Sequence, residues 1–303
     1  MIRPMRGVAL PDGELNGIYL ASPKIDGIRA WVKDGQVLSK TGKPLPNPFL
    51  HELFGNLNGA DGEITVGPPY AVDENDDVFD RTRGHVMQKK PKDSVDFQFH
   101  VFDRWDTPDN PAYIRCVDLE EFRQQRVNIV LHGMYSNRTE LDLSLDAVVA
   151  KGYEGMMLRY EKAGYKYGQS TAKEGYLLKL KLFEDSEAVV LSVIEQTANT
   201  NEAKTDELGY TKRSSSKSGK VGKGTFGTFL AKDLYSGRVF QVGNGKGITD
   251  RVRAEWWEAR ETLPGKLFRY TYQKVGTKFK PRIPQFKAWV DATDLADYRP
   301  EMT

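Results

Sequence analysis

The sequence predicts an α+β protein with a mixed N-terminal domain and a C-terminal domain built as a small barrel of about five strands. Three observations indicate this organisation. The chain has 303 residues, which is enough for two domains of ordinary size. Short apolar or alternating runs bounded by Gly and Pro, typical of strands, recur in both halves. Positive charge is concentrated in the second half.

The first domain alternates irregularly between predicted strands and predicted helices. The strand-like runs are Gly17 to Ala21, Ile28 to Val32, Gly62 to Val66, Phe97 to Phe102, Gly155 to Arg159 and Tyr176 to Leu182. Asp118 and Glu121 form a capping-box pattern that predicts a helix through Arg126. A second helix is predicted from Ser144 to Lys151, ending at Gly152.

After Leu182 the pattern changes to strands separated by glycines. These strands are Glu187 to Ile194, Gly227 to Asp233, Arg238 to Val242, Lys266 to Lys274 and Phe286 to Val290. One helix, Asp250 to Thr262, lies between the third and fourth strands, an order typical of oligonucleotide-binding (OB) barrels. We expect the domain boundary near Glu184 to Ser186, giving domains 1–184 and 185–303. The Ser- and Gly-rich segment from Ser214 to Gly224 is predicted to be a loop.

The net charge of +2 hides a strong asymmetry. The stretch from Lys204 to Lys287 has 19 basic and 7 acidic residues, an excess of 12 positive charges, so the remainder of the chain is acidic. A basic stretch mixed with aromatic residues favours a phosphate-rich partner. The alternative is an ordinary solvated charged surface.

Composition also excludes several classes of protein. No run approaches the roughly 20 apolar residues of a membrane-spanning helix, and the first residues lack the apolar core of a secretory signal. We therefore expect a cytoplasmic protein. The single cysteine, Cys116, excludes an intrachain disulfide and a cysteine-rich zinc site, and we expect its role to be structural.

The strongest chemical signal is Lys24-Ile25-Asp26-Gly27-Ile28-Arg29. A lysine amine that attacks phosphorus must be unprotonated, and at pH 7 only about one free lysine in two thousand is neutral. Neighbours such as Arg29, metal ions and partial burial would lower the pKa of the amine. Gly27 would allow the backbone to turn closely around a nucleotide, and Asp26 could anchor the loop or accept from a ribose.

Further motifs follow in a fixed order along the chain. They are Asp61-Gly62-Glu63, Phe102-Asp103, Glu154-Gly155 and Leu178-Lys179-Leu180-Lys181-Leu182. With the Lys24 motif, this series resembles the covalent nucleotidyl transferases, a superfamily of DNA ligases, RNA ligases and mRNA capping enzymes. The resemblance covers residues 22–183. It implies an ATP-grasp-like ligase domain with antiparallel sheets and helices, followed by an OB-fold barrel.

The residue types in these motifs suit phosphate chemistry. Lys179 and Lys181 are two apart in a predicted strand, so they point to the same side, and two neighbouring amines are costly unless an anion lies between them. The alternative is an edge strand with its lysines in water. Glu63 and Glu154 adjoin apolar runs, where a carboxylate would require a cation, a ribose or Mg²⁺, although each could be an ordinary acid at a strand end.

The resemblance implies a role for each candidate residue. The nucleophile that becomes AMP-lysine is Lys24, and the cofactors are ATP and Mg²⁺. The implied nucleotide-binding residues are Lys24, Asp26, Arg29, Glu63, Phe102 (stacked on the adenine), Lys179, Lys181 and Arg282, and the implied metal ligands are Glu63 and Glu154. DNA-binding residues are Lys40, Lys212, Arg213, Lys217, Lys220 and Lys223. We expect a monomer that acts on nicked double-stranded DNA in a bacterial or phage-infected cell, with a hinge near residues 184–186.

The sequence departs from the family pattern at three places. Ser39-Lys40-Thr41-Gly42 has lysine where ligases commonly have arginine, which loses the bidentate fork but keeps the charge. Gln169 also stands where an arginine is common. The C-terminal Pro281-Arg282-Ile283-Pro284-Gln285-Phe286 looks like the closing motif of phage-type ligases. A second arginine is expected a few residues further on, but Val290 stands there. Arg282 is therefore the better candidate for orienting the pyrophosphate.

Two other functions remain open from the sequence. An RNA ligase or capping enzyme would share the first-domain motifs, although the Pro-Arg-x-Pro-x-Phe ending favours DNA. A DNA-binding module with an inactive transferase fold is a second possibility, and the intact Lys24, Glu63 and Glu154 argue against it. An NAD-dependent ligase is disfavoured because Cys116 alone cannot form the zinc finger of such enzymes.

Overall fold

The computed structural model describes residues 2–73, 75–90, 95–206, 209–273, 281–291 and 293. Contacts divide the chain into a first unit, Met1–Leu182 with Thr205–Thr211, and a second unit, Phe183–Lys204 with Lys212–Thr303. Strands predominate over helices in both units, so the α+β class is confirmed. None of the described helices is long and apolar enough to cross a membrane.

The first unit contains two sheets with helices around them. Its strands are β1 (Val8–Ala9), β2 (Tyr19–Pro23), β3 (Ile28–Lys33), β4 (Gln36–Ser39), β5 (Ala60–Val66), β6 (Phe97–Arg104), β7 (Val127–Ile129), β8 (Gly133–Tyr135), β9 (Gly155–Tyr160) and β10 (Leu177–Lys181). Its helices are α1 (Pro48–Phe54), α2 (Val78–Val86), α3 (Ala112–Val117) and α4 (Arg138–Ala150). One sheet has the order β1-β10-β9-β2-β8 and the other β4-β3-β5-β6-β7.

Alternation along the strands separates the core from the functional side chains. On β3, Ile28, Ala30 and Val32 enter the main core of the unit, so Arg29 and Trp31 point the other way. On β10, Leu178 packs in a second core, with Leu180 and Leu182 against it. The two-residue period of a strand therefore places the motif side chains together on the faces that do not contribute to these cores.

The helices of the first unit differ from those that the sequence predicted. Asp118 is the C-cap of α3, an unpredicted helix, and a short 3₁₀ helix follows at Asp118–Phe122. The predicted helix through Arg126 is therefore too long. A 3₁₀ helix begins at Asp118 but ends at Phe122, and Arg126 adopts a φ of 65°. Helix α4 begins before the predicted Ser144, because the Asn137 side chain accepts from the amides of Thr139 and Glu140.

A buried charge cluster joins the two sheets of the first unit. Asp103 on β6 accepts from Arg115 Nε of α3 (2.8 Å) and from Arg159 Nε of β9 (3.0 Å). All three side chains are almost fully buried. Although burial opposes ionisation, the two guanidinium groups lower the pKa of Asp103 to about 2. The cluster therefore holds β6 of one sheet against β9 of the other.

The second unit is a sheet with one helix. Its strands are β11 (Glu184–Asn199), β12 (Ala203–Thr205), β13 (Thr211–Arg213), β14 (Lys220–Asp233), β15 (Val239–Val242), β16 (Asn244–Gly245), β17 (Leu267–Gln273) and β18 (Arg282–Val290). Strands β12 and β13 form a hairpin whose inner ends, Thr205 and Thr211, are assigned to the first unit. Helix α5 spans Asp250–Glu258 between the third and fourth main strands, as predicted, and ends before the predicted Thr262. Lys274, the predicted end of β17, lies outside the described residues.

The main sheet of the second unit has the order β15-β14-β11-β17-β18-β16. The described strands thus form an open ladder instead of the closed barrel that the sequence predicted. Only Gly243 separates the two edge strands, β15 and β16, along the chain, and a Cβ atom there would lie 2.4 Å from the Gly227 carbonyl oxygen. One chain segment therefore pairs with β14 and then with β18, which gives an OB-like arrangement.

The predicted loop from Ser214 to Gly224 includes regular elements. Residues 220–224 belong to β14, where Lys220 pairs with Asn199 of β11. The side-chain amide of Asn201 donates to the carbonyl oxygens of Ser214 (3.1 Å) and Ser216 (3.0 Å). Backbone hydrogen bonds and side-chain amides thus hold parts of this segment without apolar burial.

The first prediction concerns Asp103→Asn, which should lower the free energy of unfolding by about 3–5 kcal/mol because it leaves two buried guanidinium groups without a counter-charge. The lowered pKa means that the Asp103 carboxylate contributes about 2 kcal/mol above pH 5, and that this is lost as the pH falls through 4 towards 2. The difference in the free energy of unfolding between the wild type and the variant, measured by urea unfolding, should therefore be smaller at pH 3 than at pH 7.

Asp96→Asn is the matched control for this prediction. Asp96 is exposed and lies 3.6 Å from Arg126, so its loss should change the free energy of unfolding by less than about 1 kcal/mol at either pH. Equal effects of the two variants would show that the Asp103 cluster does not hold the sheets together.

Candidate active site

Lys24 lies where the chain passes from one sheet of the first unit to the other, directly after β2 and before β3. Its amide donates to the Gly155 carbonyl oxygen (2.7 Å), and its carbonyl oxygen accepts from the Glu154 amide (3.2 Å). These bonds continue the pairing of β2 with β9. The candidate nucleophile is thereby fixed beside Glu154.

Gly27 is required by the close packing of β3 on β5. A Cβ atom at residue 27 would lie 2.2 Å from the carbonyl oxygen of Ile64 and 3.0 Å from the side chains of Glu63 and Thr65. Ile28 pairs with Ile64 in the sheet, so the backbone of β5 cannot move away without breaking the ladder. The structure explains this glycine by strand packing, whereas the sequence suggested space for a nucleotide.

Glu154 binds two lysines at once. One carboxylate oxygen accepts from Lys24 Nζ and the other from Lys181 Nζ. Although burial opposes ionisation, the two ammonium groups lower the pKa of Glu154 to about 2. Burial favours the neutral amine of Lys24, but Glu154 and Glu63 outweigh it and raise its pKa. In this arrangement Lys24 is an ammonium, which is the unreactive form.

Lys179 lies near Lys24 and Lys181, as the strand periodicity predicted. Burial and the charges of Lys181 and Lys24 lower its pKa. Lys181 is paired with Glu154, whereas no hydrogen bond or ion pair of Lys179 Nζ is found among the described residues. This amine is therefore available to an anion.

Glu63 is a partly buried acid with incomplete charge compensation. Burial raises its pKa to about 7, although Arg29 and Lys24 act against this, and the nearby carboxylate of Asp26 raises it further. The described residues contain no group of three or more His, Cys, Asp or Glu side chains arranged to hold a metal. Glu63 and Glu154 carry carboxylates of the kind that Mg²⁺ takes, one or two at a time, with water and phosphate oxygens completing its coordination.

Arg29 is held by Asp61 through two hydrogen bonds, each 2.7 Å long. Asp61 also accepts from the Tyr165 hydroxyl at 2.6 Å. The family resemblance implied a nucleotide-binding role for Arg29. No local pattern indicated Tyr165, which is 104 residues from Asp61 along the chain.

Phe102 has two cationic neighbours in the structure. The guanidinium carbon of Arg29 lies 4.6 Å from the centre of the ring, and that of Arg159 lies 5.0 Å from it. Such contacts are favourable cation–π interactions. The role of Phe102 as an adenine platform stays a prediction, and an adenine would have to share the ring with these groups.

Two cavities adjoin these residues. One of about 600 Å³ is lined by Pro23 and Ile25, on either side of Lys24, and by His100 and Tyr153. Its volume lies in the range of small-molecule sites. The other, of about 240 Å³, is lined by Gly27, Ile28, Arg29, Ser39, Lys40, Glu63, Phe79 and Tyr210. Lys40 Nζ lies 5.0 Å from the centre of the Tyr210 ring, a contact that the sequence did not suggest.

The structure places the remaining candidate residues in the second unit. Arg282 is the first residue of β18, opposite Gln273 of β17. Lys212 and Arg213 lie in β13, Lys217 in a short 3₁₀ helix, and Lys220 and Lys223 in β14. All five of these basic residues are exposed.

The chain is similar in structure to known DNA ligases. A Lig E DNA ligase, from a study of DNA binding with a minimal scaffold, superposes with a TM-score of 0.68 at 22% identity over 96% of this chain and 100% of that chain. Two structures of Chlorella virus DNA ligase-adenylate each superpose with a TM-score of 0.53, at 29% and 28% identity, over 96% of this chain and 98% and 100% of theirs. No protein-family model and no curated protein sequence matches this chain.

This chain has the fold of the compact ATP-dependent DNA ligases of the nucleotidyl transferase superfamily. The resemblance drawn from the motifs is thereby confirmed at the level of the fold. In this ligase fold, the first unit brings together Lys24, Glu63, Glu154 and Lys181, which are separated by up to 157 residues in the sequence.

The second prediction concerns Gly27→Ala, which should destabilise the first unit by about 1–3 kcal/mol, because the new Cβ atom would overlap a carbonyl oxygen of β5. Gly84→Ala is the matched control. Gly84 lies in α2 with no atom near its Cβ position, so alanine there should be neutral or slightly stabilising. Thermal unfolding of both variants tests this, and a Gly27→Ala variant as stable as Gly84→Ala would contradict the packing role.

Proposed function

We propose that this chain is an ATP-dependent DNA ligase that seals nicks in duplex DNA through a covalent Lys24-AMP intermediate. The observation that carries the proposal is the position of Lys24 between the two sheets of a ligase fold, in contact with Glu154 and close to Lys179 and Lys181. The proposed reaction has three phosphoryl transfers, which depend mainly on positioning and charge stabilisation.

In the first step, the Lys24 amine attacks the α-phosphorus of ATP, an N–P bond forms, and the P–O bond to pyrophosphate breaks. In the second, a 5′-phosphate oxygen of the nick attacks the same phosphorus and releases Lys24. In the third, the 3′-hydroxyl attacks the 5′-phosphorus, forms the phosphodiester and releases AMP. The side chain of Lys179 suits the phosphates of the nucleotide, because its Nζ forms no ion pair among the described residues.

Before the first step the Lys24 ammonium must lose its proton. Glu154 raises the pKa of Lys24 in the structure, so any cation that competes for Glu154 would remove this contact and make the proton easier to lose. Mg²⁺ held by Glu63 and Glu154 would neutralise charge on the reacting phosphates. Lys181 remains beside Glu154 as a second positive charge.

Two cavities support ATP as the first substrate. Arg29 and Glu63 line the cavity of about 240 Å³, and the residues on either side of Lys24 line the cavity of about 600 Å³, whose volume suits a nucleoside. The exposed basic residues of β13, β14 and the intervening turn support DNA as the second, since phosphate contacts dominate non-specific DNA affinity. We further propose that the enzyme acts as a cytoplasmic monomer in DNA repair or replication.

The third prediction tests the nucleophile. Incubation with ATP and Mg²⁺ should add the mass of one AMP to the wild type, and Lys24→Ala should remain folded without gaining it, because the proposed N–P bond requires this amine. Lys33→Ala is the control, because Lys33 lies on the adjoining β3 with a partly exposed side chain. Intact-mass spectrometry measures all three proteins.

An AMP adduct on Lys24→Ala would show that another residue is the nucleophile. Parallel reactions with GTP, and nick sealing with DNA or RNA strands, separate a DNA ligase from a capping enzyme or an RNA ligase. A wild type that acquires no nucleotide under any of these conditions would overturn the proposed function.

The fourth prediction concerns the exposed basic residues, which are Lys212, Arg213, Lys217, Lys220 and Lys223. Each phosphate contact contributes about 0.9 to the slope of log affinity against log salt concentration, so replacing all five with Ser should weaken binding of nicked DNA and flatten the slope by several units. Fluorescence anisotropy at a series of salt concentrations measures both quantities.

AMP transfer to Lys24 is the internal control for this variant, and its rate should stay near that of the wild type because the five residues lie outside the nucleotide motifs. If DNA affinity and salt slope were unchanged, the DNA contact would shift to Arg251, Arg253 or the stretch Lys274 to Lys287. Residues 274–280 of that stretch lie outside the described residues.

A further inference from the structure

Arg29 belongs to a closed ring of hydrogen bonds in the first unit. Its Nε and Nη2 donate to the two oxygens of Asp61, and Nη2 also donates to the Met5 carbonyl oxygen at 3.2 Å. The Tyr165 hydroxyl donates to Asp61 at 2.6 Å and accepts from the Met5 amide at 3.0 Å. The ring therefore runs from Arg29 through Asp61 and Tyr165 to the backbone of Met5, and back to Arg29.

This ring fixes the guanidinium plane of Arg29 more tightly than an arginine–carboxylate pair would. A pair alone can tilt or slide as a unit, since nothing holds the carboxylate. Here the Tyr165 hydroxyl ties Asp61 to a backbone amide, and the neighbouring backbone carbonyl receives Arg29. Met5, Asp61 and Tyr165 are all buried, so water does not compete strongly for these bonds.

The ring uses three of the five N–H groups of Arg29 and leaves the two on Nη1. Within the described part of the chain, Nη1 makes no hydrogen bond. Arg29 lines the cavity of about 240 Å³ together with Glu63 and Lys40. A guanidinium edge with two unused donors is suited to an oxygen-rich ligand, such as a ribose or a phosphate.

We propose that Tyr165 is a positioning residue, which orients Arg29 through Asp61 and Met5 so that its Nη1 edge binds the nucleotide in the first step. This inference rests on the proposed function, because the ligand that Arg29 would bind is ATP. Burial raises the pKa of Tyr165 well above its ordinary value, so the phenol keeps the proton that it donates to Asp61.

Tyr165→Phe breaks two bonds of the ring and retains the aromatic ring that packs in the core. Tyr167→Phe is the matched control. Tyr167 packs against Tyr165 with 5.6 Å between ring centres, and its hydroxyl donates to the Trp105 carbonyl oxygen at 3.0 Å, outside the Arg29 ring. The two variants remove the same group from neighbouring tyrosines.

The experiment is a double-mutant cycle between Tyr165→Phe and Arg29→Lys, with Tyr167→Phe tested in the same two backgrounds. The dissociation constant for ATP is measured by calorimetry, and KM and kcat by the rate of AMP-adduct formation, at a temperature at which circular dichroism shows each variant folded. Tyr165→Phe should weaken ATP binding about tenfold when Arg29 is present and less than about twofold when it is Lys. The KM for ATP should rise together with the dissociation constant, while kcat changes little.

Other outcomes would overturn the inference. If Tyr165→Phe raised the dissociation constant for ATP by the same factor with Arg29 and with Lys at residue 29, Tyr165 would not act through Arg29. If Tyr165→Phe and Tyr167→Phe had equal effects on ATP binding, the cause would be a general loss of packing. A Tyr165→Phe variant that is unfolded at every temperature would make the role structural. A wild type that acquires no AMP would overturn the proposed function itself, whereas an active wild type with an unaffected Tyr165→Phe variant overturns only this inference.

Discussion

The ion pairs of the buried Asp103 carboxylate are the interaction on which the arrangement of the two sheets in the first unit depends. Asp103 joins β6 of one sheet to Arg159 on β9 of the other, and to Arg115 on α3. Burial of charge is costly unless every charge has a partner, so a shift of either sheet would leave guanidinium groups uncompensated in an apolar interior. The start of β9, next to Glu154, is therefore fixed relative to β5, which carries Glu63.

The same sharing of one carboxylate between two donors recurs nearer to Lys24. Glu154 lies between Lys24 and Lys181, as Asp61 lies between Arg29 and Tyr165. In the proposed mechanism, the contact that orients the Lys24 amine also keeps it protonated. Orientation and reactivity of the amine are then opposed, and both are controlled at Glu154. If a cation that binds together with ATP competes for Glu154, the Lys24 amine would lose its proton only when ATP is bound. Attack on phosphorus would then be confined to the ATP-bound enzyme.

Local patterns predicted much of the first unit, because strand periodicity and the order of the motifs are local. Leu178 and its alternating neighbours showed which side of β10 packs in the core. The ring through Tyr165 could not be predicted, since it joins residues that are far apart in sequence and of types that occur everywhere. The helix expected from Asp118 to Arg126 is only a short 3₁₀ helix, Asp118–Phe122, and Asp118 is also the C-cap of the preceding helix α3.

The segment from Ser214 to Gly224, predicted as a loop from its Ser and Gly content, is held by polar groups. Asn199 and Asn201 hold its backbone through their side-chain amides, and the ladder between β11 and β14 extends to Lys220. Hydrogen bonds of this kind restrict the conformations that the free segment can adopt. Binding of a polyanion would then require less loss of conformational entropy than folding of a flexible loop, so more of the electrostatic free energy would appear as affinity.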